Sequence, residues 1–169
     1  MKNLLFGILL GCFALMGCRS DEESIQKIDQ IMNFYIQDAN GKDLLVPNAI
    51  GSYTTVAMND VLAPTDIAAV SFSPKTDADS RNYLEYIAGA TRELQSGGDS
   101  DERVYRSRIR VALTKKITDT TFNEAVNDTL EIHYRWTPTV FEVSKVMYKE
   151  IDLPVTKDSE NRNIVRITK

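Results

Sequence analysis

His133 is the only imidazole in the 169-residue chain, and it sits in the run Glu131-Ile132-His133-Tyr134-Arg135. One imidazole cannot make a two-histidine metal site, and a zinc site would need carboxylates beside it. The chain has no Gly-x-Ser-x-Gly elbow, no His-Glu-x-x-His pair and no Gly-rich phosphate loop. A Ser or Thr nucleophile could pair with His133, but no local spacing selects one. Arg106, Arg108 and Arg110 carry more chemistry in their spacing. On a strand they would project from one face as a row of guanidinium groups about 7 Å apart. Such a row can grip carboxylates or phosphates of a glycan or a protein partner through forked hydrogen bonds. Glu131 or Glu142 on neighbouring strands can equally neutralise it. Two acidic stretches, Asp77-Ala78-Asp79 with Asn82 and Asp99-Ser100-Asp101-Glu102, concentrate oxygen atoms, but neither has the spacing of a calcium-binding helix-loop-helix. They read as solvated loops, and no metal or cofactor is expected.

The elements that must position these residues are strands. Thr129 to Trp136 sets Leu130, Ile132, Tyr134 and Trp136 against Glu131, His133 and Arg135, an alternation of period two. Arg103 to Leu113 repeats the pattern, with Tyr105, Ser107, Ile109, Val111 and Leu113 on one face and the three arginines on the other. Tyr134 and Trp136 therefore read as core, while Tyr83, Tyr86, Tyr105 and Tyr148 add aromatic surface that could stack on a sugar. Further strands are predicted over 32–37, 52–58, 67–73, 82–88, 140–148 and 163–168. Asp38-Ala39-Asn40-Gly41 is a turn signal, because Asn-Gly tolerates positive φ. Ser96 to Asp101 is the segment of most flexible composition. Pro47, Pro64, Pro74, Pro138 and Pro154 fall at or near the proposed strand ends. About eight short strands with frequent turns predict an all-β fold, an antiparallel sandwich of Greek-key type.

The amino-terminal end differs in kind. Lys2 precedes an apolar run from Leu4 to Met16, shorter than the roughly 20 residues a spanning helix needs, and it reads as a helical signal peptide. Leu15-Met16-Gly17-Cys18 resembles the lipobox of bacterial lipoproteins. The resemblance implies cleavage before Cys18, diacylglycerol on its sulfur and a third acyl chain on the new amino group. Several acyl chains hold a protein to a membrane where one does not. The only other cysteine, Cys12, lies in the part removed, so no disulfide would support the fold. Ser20, Asp21, Glu22 and Glu23 resemble the export signal of surface lipoproteins from Bacteroidetes, which implies an outer-membrane location facing the exterior. The same residues could cap a short helix from Asp21 to Ile28, with Ile25, Ile28 and Met32 at helical spacing. The resulting organisation is a signal peptide over 1–17, a lipidated tether over 18–30 and one domain over 31–169.

Tyr35 to Leu45, with its Asp-Ala-Asn-Gly turn, is similar to the opening strand and turn of prealbumin-like and immunoglobulin-like modules. Similar segments occur in lipoproteins of Bacteroidetes. Asp119-Thr120-Thr121 and Asp128-Thr129-Leu130 resemble O-glycosylation acceptors of those bacteria, implying Thr120 and Thr129 as acceptors. Removing 1–17 takes away Lys2 and no acid, so the formal charge goes from −4 to −5, which argues against nucleic acid as a partner. The expected function is non-enzymatic: a membrane-anchored scaffold that binds a glycan, an outer-membrane protein or a host partner. The competing expectation is a small cell-envelope enzyme, or an enzyme inhibitor, on the same scaffold.

Overall fold

The computed structural model describes residues 25–65 and 68–169. Cys18 and Ser20 to Glu23, like the expected signal peptide over 1–17, lie outside the described residues. Among the described residues there are twelve strands and no helix. They are β1 (Lys27–Asp29), β2 (Met32–Gln37), β3 (Tyr53–Asp60), β4 (Ser73–Thr76), β5 (Asn82–Tyr86), β6 (Glu93–Ser96), β7 (Arg103–Lys115), β8 (Val126–Trp136), β9 (Val140–Tyr148), β10 (Ile151–Leu153), β11 (Thr156–Lys157) and β12 (Asn163–Thr168).

The strands form two sheets. The larger runs β1-β9-β8-β7-β3, with β10 sharing the β9 edge and β6 pairing with β7; the smaller runs β11-β12-β2-β5-β4. Antiparallel pairing was expected throughout, yet both sheets are mixed. β1 lies parallel to β9, and β12 runs parallel to β2 over six residue pairs from Asn163↔Met32 to Thr168↔Gln37. Alternation within a strand carries no information on the direction of its neighbour, so sequence pattern could not reveal this. The larger sheet curls into a half-barrel. Its ladder is interrupted by register shifts at Tyr53/Thr55, Leu94/Ser96 and His133/Tyr134, and such bulges bend a strand and increase its twist.

One core joins the sheets. Met32, Phe34 and Ile36 of β2, with Leu84 and Tyr86 of β5, pack in the same cluster as Ile109, Val111 and Leu113 of β7 and Leu130, Ile132 and Tyr134 of β8. Burying each such side chain contributes about 1.5–3 kcal/mol. β2 is buried on both faces, because Tyr35 on the outer side stacks on Tyr83 with ring centroids 5.3 Å apart. Its hydroxyl donates to Asp77 at 3.1 Å, and burial and that carboxylate push its ionisation up to about 12.

Helical spacing around Ile25, Ile28 and Met32 does not yield a helix at these positions. Lys27–Asp29 is extended and pairs with Val140–Glu142. A helix of so few residues is marginal in water, whereas the β9 edge supplies partners for an extended chain. The expected strand over 67–73 is also displaced. Ala69 makes only an isolated bridge to Asn59, and the chain then crosses to the smaller sheet as β4.

The Asp38 turn forms as its residues require. Gly41 adopts φ +80°, and the Asp38 carboxylate accepts the Asn40 and Lys42 amides at 2.8 and 2.9 Å.

Candidate functional site

The two ends of the half-barrel differ, and the difference locates the site. At one end the core side of the sheet is closed by charge. Asp128 is buried and accepts hydrogen bonds from Tyr148 at 2.7 Å and from Lys169, with Lys149 at 3.6 Å. The Lys169 ammonium also lies 4.8 Å from the centre of the Tyr148 ring. Burial, and next the Asp128 bond, push the Tyr148 hydroxyl's ionisation upward.

The opposite end stays open. Tyr105 near the start of β7, Trp136 at the end of β8 and Phe141 near the start of β9 continue the core-facing alternation to this end of the larger sheet, Phe141 within the core and the other two packed half-buried against it. With Gln26, Ile28, Gln30 and Arg92 they line a groove of about 340 Å³. Cross-strand register brings the parts together: Tyr105 opposes Tyr134, and Trp136 opposes Arg103 on one side and Phe141 on the other. The Arg103 guanidinium lies 4.6 Å from the centre of the indole. Arg92 stands over the stacked rings of Tyr134 and Phe141, at 4.9 and 4.7 Å, and donates to the Gln30 amide oxygen at 2.5 Å. Arg92 is exposed and Arg103 half-buried, and cation–π contacts at exposed sites are worth about 0.5–1 kcal/mol.

Arg92 is aimed by its neighbour. The Thr91 amide donates to buried Asp60 at 2.6 Å, and the Thr91 carbonyl accepts the Ser107 hydroxyl at 2.8 Å. Burial raises the Asp60 pKa, but the Thr91 and Leu62 hydrogen bonds outweigh it and leave it below the ordinary value. Ser107, an otherwise unexplained polar residue on the core face of β7, thus clamps the backbone that presents Arg92. On the far wall, Gln26 donates to the Thr137 carbonyl at 2.5 Å. The groove therefore combines aromatic rings with amide and guanidinium groups, Arg103 lying over Trp136 and Arg92 over Phe141.

No protein-family model, curated protein or solved structure matches this chain. The site is therefore read from its own geometry.

The arginine row lies elsewhere. Arg106, Arg108 and Arg110 stand on the outer face of β7, opposite the core side that carries the groove. Arg106 pairs with Glu93 at 2.7 Å and Arg108 with Glu131 at 3.3 Å, while Glu142 goes to Arg135 at 2.5 Å. The row is thus interleaved with carboxylates from β6 and β8. His133 shares this outer face, half-buried, with Glu131 at 3.8 Å. Burial is the first cause of its lowered pKa, which favours the neutral ring. Aromatic platform and arginine row therefore do not form one surface.

Asp77 uses its carboxylate within its own loop and toward Tyr35, accepting the Asp79 and Arg81 amides at 3.0 and 2.9 Å as well as the Tyr35 hydroxyl. Among the described residues no group of three or more His, Cys, Asp or Glu is placed to hold a metal ion. Thr120 lies exposed in the loop between β7 and β8, whereas Thr129 is half-buried within β8. Sequence reasoning missed Gln26, Gln30, Arg92 and Phe141. Trp136, read as core from its alternation, packs half-buried against the core and also lines the groove.

Proposed function

We propose that the protein is a lipid-anchored, surface-displayed glycan-binding module, with the sheets arranged as a Greek-key sandwich of the immunoglobulin-like or prealbumin-like kind. The observation that carries the binding reading is the groove in which Tyr105, Trp136 and Phe141 meet Gln26, Gln30 and Arg92. The shared core of the two sheets supports the sandwich reading. The lipobox over Leu15 to Cys18 supports the anchor, and Ser20 to Glu23 the outward address. Gln26 follows Cys18 closely in sequence, so an anchor there would hold the groove near the glycan layer at the membrane surface.

Trp136 is the only tryptophan, which makes the site its own reporter. Titration with purified cell-surface oligosaccharides is expected to give a saturable change in its emission. Trp136→Ala, followed by calorimetry, is expected to weaken binding by tenfold or more, on the scale of about 1.4 kcal/mol or above for a buried aromatic anchor. A panel of neutral and acidic glycans that left both signals flat would overturn the binding reading. The anchor is tested separately by mass spectrometry of the mature protein, which is expected to begin at an acylated Cys18.

A further inference from the structure

We propose that the free half of the β3 edge accepts an extended strand from a partner polypeptide, whose residues alternate between apolar and polar. This site lies away from the aromatic groove and does not depend on the glycan reading. Met58 accepts the Val70 amide at 2.9 Å, and Asp60 donates to the Ala68 carbonyl at 2.8 Å, whereas Val61 donates to Arg108 on β7 at 2.9 Å. Even-numbered residues of β3 therefore direct their backbone groups away from β7, and odd-numbered ones toward it. Val56, in register with Leu113, follows the same alternation as Met58 and turns its N–H and C=O to the outer edge.

Among the described residues, the chain itself uses only part of that edge. Its own segment pairs there around Ala69, then departs for the smaller sheet as β4. Where the departing segment leaves β3, a cleft of about 510 Å³ opens between the sheets, lined by Val56 on one side and Leu84 on the other, with Leu45 and Phe72 beside them. The cleft occupies the place that one more strand beside β3 would fill. A strand continuing the pairing that Ala69 begins would send alternate side chains inward against Leu45, Phe72 and Leu84. The others would face solvent alongside Thr55 and Ala57, both more exposed than Val56. Free strand edges are templates for such addition, with main-chain bonds giving affinity and the pockets beneath giving selectivity.

The other edge bordering the cleft is less suited. β4 carries Pro74, which lacks an amide to donate and marks an edge protected from pairing. The bulge at Tyr53/Thr55 ends the regular β3 ladder on the far side of Val56. The addition is therefore short, and the apolar cleft must supply much of its selectivity.

The test is amide exchange on the full domain with a capped synthetic peptide of alternating threonine and valine. Saturating peptide is expected to slow exchange at Val56 by about tenfold or more, while Ala57, already directed toward β7, stays unchanged. Val56→Pro, which removes an outward-facing donor, is expected to abolish that binding. If the variant does not fold, the contrast between Val56 and Ala57 in the unaltered protein decides alone. Binding that left Val56 exchange unchanged would overturn the proposal. So would protection of Val56 that grew with protein concentration without peptide, because the edge would then serve a second copy of the chain.

Discussion

Asp128→Ala is expected to lower the unfolding free energy by about 3 kcal/mol, read as a shift of the urea midpoint. The substitution strips Lys169 and the Tyr148 hydroxyl of their buried acceptor. The lower end of the range for breaking a buried pair applies, because Lys149 is largely in solvent and loses little. Burial drives the Asp128 pKa up, but the Lys169 and Tyr148 hydrogen bonds and the charges of Lys169 and Lys149 outweigh it and hold it below its ordinary 3.8. A depressed folded pKa gives stability that is complete above the unfolded value and disappears as pH falls through the folded one. Acid unfolding of the Asp128→Ala protein is therefore expected to show a shallower loss of stability below about pH 4. An unchanged midpoint together with an unchanged acid slope would mean that this cluster does not hold the end of the half-barrel closed.

The second large effect is expected at the other end, from Gly97→Ala. Gly97 has φ +101°, and a Cβ there would overlap the Glu102 carbonyl oxygen and approach the Arg103 Cα at 2.7 Å. Both neighbours are backbone, so no side chain can swing away. Alanine at a positive-φ site with no room is expected to cost about 1–3 kcal/mol. The strain falls on the β6–β7 hairpin, which carries Arg103 over Trp136 and leads into Tyr105. A red shift of Trp136 emission in the folded variant is thus expected alongside the lower urea midpoint. Equal midpoints and spectra would show that the hairpin tolerates a side chain at Gly97.

How legible each part was in the sequence depends on how many faces a strand buries. β2, β9 and β12 match their predicted bounds residue for residue, and β7 and β8 differ only by short extensions. β7 and β8 set a buried face against a more exposed one, so solvent imposes period two on their side chains. β1, β6, β10 and β11 were not anticipated, and β4 was anticipated only at Ser73. β6 and β11 are exposed along their whole length, and β1 and β10 have only one partly buried residue each. A strand held by backbone bonds alone leaves no imprint on side-chain choice. The same reason hid the groove. Tyr105 and Trp136 were visible as aromatic residues on core-side positions, but their exposure depends on where the second sheet stops. Arg92 was invisible because its placement comes from Asp60 and Ser107, which are remote from it in sequence. The outward direction of His133 and of Arg106, Arg108 and Arg110 was readable because alternation alone determines it.

The parallel pairing of β2 with β12 has a consequence in time. β2 sits at the middle of the smaller sheet, and one of its two neighbours is the last strand of the chain. Lys169, beyond that strand, also donates to the Asp128 that closes the half-barrel. Contacts so distant in sequence carry a loop-closure cost that nearer pairings cannot offset beforehand. The smaller sheet therefore stays incomplete until Asn163–Thr168 has been synthesised, and a chain truncated before Asn163 lacks the partner that β2 needs. Pairing of β2 is thus postponed until a strand remote from it in sequence is available.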